Sequence, residues 1–298
     1  MSAPLRLCAH GALLAILTLG LAACASMDLS PEGIAGRAVN VATSSDVQQK
    51  VKAASQDFTP EQEYYIGRAV AANLLATRTV WDNKAATDYV NVLERALVIY
   101  CDQPETYGGY HVLILDSNEI NAFSAPGGLI LVTRGLLRCA TSEDGVAAIL
   151  AHETSHVVLR HGLKSIKDAR STQAAMAVLN AAVPETQQLL GPFNDVVNDV
   201  VKNLVTNGYS RDYELQADQM ALKIMRAAGY NPQAFDDMLK VMKTKLTPGG
   251  LDFAKTHPDP VVRETAVEKT LSAEPPVTVS PAAATARQAR YRAALGNV

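Results

Sequence analysis

"LAHETSHVVLRH", residues 150–161, holds three of the chain's six histidines and decides how the rest is read. His152 and His156 stand one helical turn apart, so both imidazoles project from the same face, near enough to share one cation. Glu153 sits beside that face, where its carboxylate would act next to a bound cation and not as one of its ligands. The flanks suit a helix running from Glu143 to about Leu163, because Val146, Ile149, Leu150, Val157 and Val158 give it a face to bury. His161 lies five residues past His156, turned away from the face of the two histidines. It is read as a surface or supporting residue, outside the ligand set.

H-E-x-x-H on a helix is the zinc-peptidase arrangement, and it needs a third ligand. "YSRDYELQADQMA", residues 209–221, supplies one. Glu214 and Asp218 are one turn apart on a helix expected over 210–228. That spacing suits a carboxylate ligand, Glu214, and a second acid, Asp218, that accepts the outer N–H of a ligand histidine. Two acids on a solvated helix face are the bland alternative, and the upstream histidine motif outweighs it. One Zn²⁺ per chain on His152, His156 and Glu214 leaves a fourth position for water, with Glu153 as general base.

Working outward, the 298 residues are 48% apolar, 19% charged and 5% aromatic, which is ordinary globular composition. Net charge is −3 with scattered Lys and Arg, so nothing suggests a nucleic-acid surface. Thr59, Pro60 and Gln62 read as a capped helix start whose apolar positions are Ile66, Val70, Leu74 and Leu75. A second helix is expected over Ala85–Ile99, burying Val92, Leu93, Leu97 and Ile99. "YHVLILD" and "LILVTRG" read as strands, and further helices are expected over 231–245 and 259–271. The fold class is α+β, mostly α-helical, with a small β-sheet beside the active-site helix. Residues 24–57 read as a tether, 58–272 as one domain with a variable helical insertion at 168–205, and 273–298 as a flexible tail. Within that tail "ARQARYRAAL" is read either as a basic terminal helix or as a mobile end.

The first 23 residues place the protein in a cell. Gly11 to Ala23 is an uncharged run, too short for a membrane span, which needs about twenty apolar residues, and fitting for a signal peptide. It ends in "LAAC", residues 21–24, which resembles a bacterial lipobox with Cys24 as the lipidated residue; an ordinary secretory cut near Ala23 is the alternative. Ala25 then implies an outer-membrane lipoprotein facing the periplasm of a Gram-negative bacterium. In that oxidising compartment Cys101 and Cys139 are expected to form a disulfide, with two unpaired buried thiols as the alternative.

Taken together, "NAFSAPGG" (121–128), the histidine motif, "YSRDYELQAD" (209–218) and "HPDPVVR" (257–263) resemble the gluzincins, and more narrowly peptidase family M48, the family of HtpX and the CAAX prenyl protease. The resemblance covers about residues 58–272 and departs from the family pattern at Thr154 and Ser155. It implies a zincin-like metalloendopeptidase domain in a short periplasmic lipoprotein. It also brings His257 and Arg263 into the cleft as catalytic residues. Arg263 would stabilise the oxyanion; His257 would do likewise, or close the fourth zinc position and hold the enzyme latent. "NAFSAPGG" is read as an edge strand that an extended substrate joins, with Asn121 and Phe123 as substrate contacts. The implied substrates are unfolded or misfolded envelope proteins. The rival reading is a periplasmic chaperone or assembly factor with a latent protease site.

Overall fold

Thr59 opens the first helix as its side chain demands. Its Oγ1 accepts from Gln62 N, Gln62 Oε1 accepts from Thr59 N, and Pro60 occupies the first turn, where no N–H is needed. The computed structural model describes residues 57–165, 167, 208–245, 257 and 260–298, all within one compact unit. Cys24, the signal-like segment, the tether up to residue 56 and the 168–205 insertion lie outside the described residues. In chain order the elements are α1 (Pro60–Leu75), α2 (Lys84–Val98), β1 (His111–Leu115), β2 (Ala122–Ala125), β3 (Leu129–Thr133) and α3 (Arg134–Leu137). After them come α4 (Glu143–Val158), α5 (Arg211–Ala227), α6 (Gln233–Lys245), α7 (Pro260–Ala273) and α8 (Pro281–Leu295). The chain is mostly helical with a small sheet, a zincin-like arrangement.

The sheet has the order β1-β3-β2, with β1 parallel and β2 antiparallel to β3. Side chains alternate across it with period two. Ala122, Ile130 and Val132 join the main core with α2, α4, α5 and α6, while Phe123, Ala125 and Leu131 join a second cluster with Val70, Ala71 and Leu74 of α1. β2 therefore sits at a sheet edge with α4 over one face and α1 over the other. On α2 the buried positions are Ala86, Val90, Leu93, Glu94, Leu97 and Val98. Val92 and Ile99 point outward, 57% and 65% exposed, because the helix turns its 3.6-residue stripe onto Val90 and Leu93 instead.

α4 has no polar outer face; everything from Gly145 to Val157 is buried. It is shorter than its sequence suggests. Leu159 caps it, and Arg160 takes a left-handed φ of 56° before residues 161–165 resume helical structure. Arg160 is held in that conformation by an ion pair with Glu63 and by donating to Phe58 O at 3.0 Å. This break redirects His161, which is buried beneath His156 and not turned away from it.

Two further expectations change. The tail read as flexible carries α8, docked on the start of α4. Arg290 donates twice to Glu143, Arg287 pairs with Asp144 at 3.0 Å, and Leu295 is buried in the core. Cys101 and Cys139 are free thiols, not a disulfide. Each sulfur instead contacts a carbonyl one turn back on its own segment, Leu97 O at 3.8 Å and Gly135 O at 3.6 Å. Burial pushes both thiols up, Cys101 to about 12, so neither is poised to oxidise. Alkylation of the denatured, unreduced protein is therefore expected to label both Cys101 and Cys139; a cross-linked peptide pair found by mass spectrometry would restore the bridge.

Candidate metal centre

α4 and α5 cross with their functional faces together. His152 Nε2 and His156 Nε2 lie 3.2 Å apart, and Glu214 brings Oε2 to 3.3 Å from the first and Oε1 to 3.2 Å from the second. Zinc bonds of about 2.0–2.1 Å in a tetrahedron require ligand atoms about 3.3–3.4 Å apart. The edge between the two imidazoles is close to this, and Glu214 reaches each imidazole with a different oxygen. Glu214 Oε1 is buried with no hydrogen-bond partner, which fits an oxygen arranged for a cation. His257 joins from the loop before α7, its Nδ1 2.8 Å from Glu214 Oε2, and the ligand atoms of all four residues lie within 4.8 Å of one another.

Around these atoms lies a layer of orienting groups. Asp218 Oδ1 is 2.9 Å from His152 Nδ1, which orients the ring with its outer nitrogen donating and Nε2 directed at His156 and Glu214. Arg263 grips the same Asp218 from two nitrogens, Nε at 2.9 Å and an Nη at 2.6 Å, and brings another Nη to 3.5 Å from Glu214. His156 is oriented by a second histidine: its Nδ1 is 2.9 Å from Nδ1 of His161. Burial and the neighbouring His156 ring hold His161 down at about 3, so it is neutral and can accept. Tyr209 stacks on His156 with centroids 4.1 Å apart, and Tyr213 stacks on His161 at 4.4 Å.

The electrostatics favour ionised acids at the centre. Burial pushes the Glu214 carboxyl up, but the imidazoles of His257 and His156 outweigh it and hold it well below the usual range. Asp218 is likewise lowered, against burial, chiefly by the Arg263 guanidinium. For His152, burial and Arg263 oppose the proton, yet hydrogen bonds to Asp218 and Glu214 raise it to about 9.

Glu153 is buried, and its Oε2 accepts a short hydrogen bond from Ser124 Oγ of β2. Ser124 escaped the sequence reading although alternation could have found it. Ala122 and Ser124 share the face toward α4, whereas Phe123 points the other way, into the α1 cluster with Arg78 over its ring. Phe123 is thus a core residue, not a substrate contact. Asn121 secures its own strand: Oδ1 accepts from Ala122 N at 2.9 Å and its carbonyl accepts from Thr133 N at 3.0 Å. Thr154 and Ser155, the departures inside the motif, face inward and are satisfied. Thr154 donates to Glu94 Oε1 at 2.6 Å, and Ser155 to Ala151 O at 2.6 Å.

This helix-borne pair of histidines facing a carboxylate one helix away, with an acid beside the first histidine, defines a zincin-type metallopeptidase centre. Residues 84–271 match the model of Peptidase family M48, and the chain belongs to that family. Among curated proteins it is similar to the beta-barrel assembly-enhancing protease of Escherichia coli (strain K12), 23% identical over 209 residues, covering 68% of this chain and 42% of that protein. The putative beta-barrel assembly-enhancing protease of Vibrio cholerae serotype O1 is 25% identical over 237 residues, 76% of this chain and 48% of its own length. The mitochondrial metalloendopeptidase OMA1 of Schizosaccharomyces pombe is 32% identical over 154 residues, 51% and 43% of the two chains. The chain thus matches less than half the length of these relatives.

Glu94, behind the motif on α2, yields a prediction. Full burial, and secondarily the charge of Glu153, push its carboxyl up to about 8 despite the bond from Thr154. Between about pH 4.5 and 8 the folded protein keeps a proton there that the unfolded chain releases, so stability falls as pH rises through this window. Glu94→Gln mimics the protonated group and should unfold like wild type near pH 4.5, with a stability advantage that grows towards pH 8. Parallel denaturation profiles across that range would show that Glu94 is ionised in place.

Proposed function

We propose that this chain is a zinc-dependent endopeptidase that hydrolyses peptide bonds of unfolded or misassembled cell-envelope proteins. The observation that carries the reading is the buried cluster of His152, His156 and Glu214, with the two Nε2 atoms 3.2 Å apart and a Glu214 oxygen within 3.3 Å of each, and Glu153 alongside. When bound, zinc supplies Lewis acidity that polarises the scissile carbonyl and brings the pKa of water towards about 7. Glu153 takes the proton of the attacking water and delivers it to the leaving amine. Ser124, through its hydroxyl, fixes the Glu153 carboxylate for that transfer. Asp218 and His161 hold the outer nitrogens of His152 and His156. The double contact of Arg263 with Asp218 supports a positioning role for this arginine in preference to oxyanion contact.

His257 stands where a fourth ligand would close the site, and its place among the four clustered donors favours latency over direct contact with the transition state. The same observation supports the second reading, a client-binding assembly factor with a shut protease site. The names of the bacterial relatives refer to β-barrel assembly, consistent with envelope proteins as substrates. Lipidation at Cys24 and an outer-membrane, periplasm-facing location belong to the same proposal. Among the described residues no helix is long and apolar enough to cross a membrane.

Two experiments bear on this. With zinc content verified, casein should be cut by the protein or by His257→Ala, and by neither once Glu153→Gln is introduced. Cutting only by His257→Ala would establish latency, and no cutting by any zinc-loaded form would move the assignment to the assembly factor. Asp218→Asn, which cannot accept from His152 Nδ1 as strongly, is expected to weaken zinc binding about 10- to 100-fold in chelator competition. Unchanged affinity would remove Asp218 from the site.

A further inference from the structure

Strand addition requires a free strand edge, and the outer edge of β2 is not free. Thr133 N donates to Asn121 O at 3.0 Å, which makes this a hydrogen-bonded pair of the antiparallel ladder. With the register Ala122↔Val132, Phe123↔Leu131 and Ser124↔Ile130, Phe123 then turns its backbone groups towards β3, and those of Ala122 and Ser124 face outward. Two of these outward groups are already taken. Ala122 N donates to Asn121 Oδ1 at 2.9 Å, and Ser124 O accepts from the Tyr209 hydroxyl at 2.9 Å.

We infer that Tyr209 closes the outer edge of β2 and that an extended peptide must displace its hydroxyl to pair with the Ser124 carbonyl. The inference rests on the strand-addition reading of the site. Its location is what makes it consequential. Ser124 carries Glu153 on its hydroxyl, so the capped carbonyl belongs to the very residue that contacts the base. The Tyr209 ring lies nearly parallel to His156, at 16°. A Cβ placed on Gly162 would sit 3.5 Å from the Tyr209 hydroxyl and 3.2 Å from Pro126, so the tyrosine fills the gap between the end of α4 and β2. Burial, then the charges of Glu153 and Glu214, push the phenol above its ordinary range, so it stays a neutral donor and deprotonation does not lift the cap. Displacement is instead a rotation, and Gly208, at a left-handed φ of 69° immediately before it, provides the pivot.

Binding measured without turnover tests this. The full chain carrying Glu153→Gln, zinc-loaded, is titrated by fluorescence anisotropy into a fluorescein-labelled casein peptide, with and without Tyr209→Phe. The phenylalanine keeps the stacked ring and removes only the hydroxyl. Losing one competing hydrogen bond should tighten binding about 3- to 10-fold. N-methylation of alternate peptide nitrogens should abolish that gain, since strand pairing depends on backbone N–H groups. Tyr209→Leu, which also removes the stack, should tighten binding as well and guards against a peculiarity of the phenylalanine variant. Binding that Tyr209→Phe leaves unchanged or weakens overturns the inference while leaving the peptidase reading intact. Peptide that binds no form at all overturns strand addition itself, and the inference with it.

Discussion

Glu214 is the point on which the architecture converges. A carboxylate without solvent is tolerated only when opposite charge and donors surround it closely. Here two imidazoles of α4, the imidazole of His257 and the Arg263 guanidinium approach it from three separate segments. α4 and α5 are far apart in sequence from each other and from His257 and α7, and the three helices also meet through the apolar core of Ile149, Ala221 and Val267. The buried charge cluster therefore adds a polar constraint to the apolar packing that joins α4, α5 and α7. Asp218 and Arg263 nearly neutralise each other within it, which leaves Glu214 and the histidines as the part that a dication would balance.

A helix buried on every side, as α4 is, must also have its N-terminal end satisfied. Ser142 caps it, and Glu143 in the first turn complements the helix dipole but is itself buried. Its carboxylate is met by Arg290 from α8 and by the hydroxyls of Tyr89 and Tyr230 at 3.3 and 3.4 Å. α8 lies beyond the segment that matches the family. A C-terminal element thus supports the end of α4 opposite His152 and His156, a dependence that the family-matched segment alone does not contain.

The gathering of His152, His156, Glu214 and Asp218 was legible because the helix period leaves few choices: residues four apart share a face, and H-E-x-x-H followed by E-x-x-x-D uses that rule twice. The sheet strands and most helix starts were legible through alternation and capping side chains. What escaped the reading has a common origin. His161 seemed turned away because periodicity assumes an unbroken helix, and the left-handed Arg160 breaks it. Phe123 seemed a contact because a strand's face is ambiguous by one residue until its partner's register is known. The tail seemed mobile because its basic residues have no visible partner in local sequence; Glu143 and Asp144 are far upstream. In each case the deciding interaction is long-range.

Ser124 ties the two halves of the site together. Its hydroxyl donates to Glu153 on α4, and its carbonyl lies on the outer edge of β2. Occupying the edge and orienting Glu153 are therefore not independent events. On the proposed reading, a peptide that replaces the Tyr209 hydroxyl pairs with the same residue whose side chain contacts Glu153, so pairing along β2 would reach the proposed base through one residue. That arrangement favours substrates offering an unpaired stretch of backbone, since a folded segment has no N–H groups to give. On the proposed strand-addition reading, selectivity for unfolded protein would follow from the hydrogen-bonding state of the substrate and need no side-chain pocket.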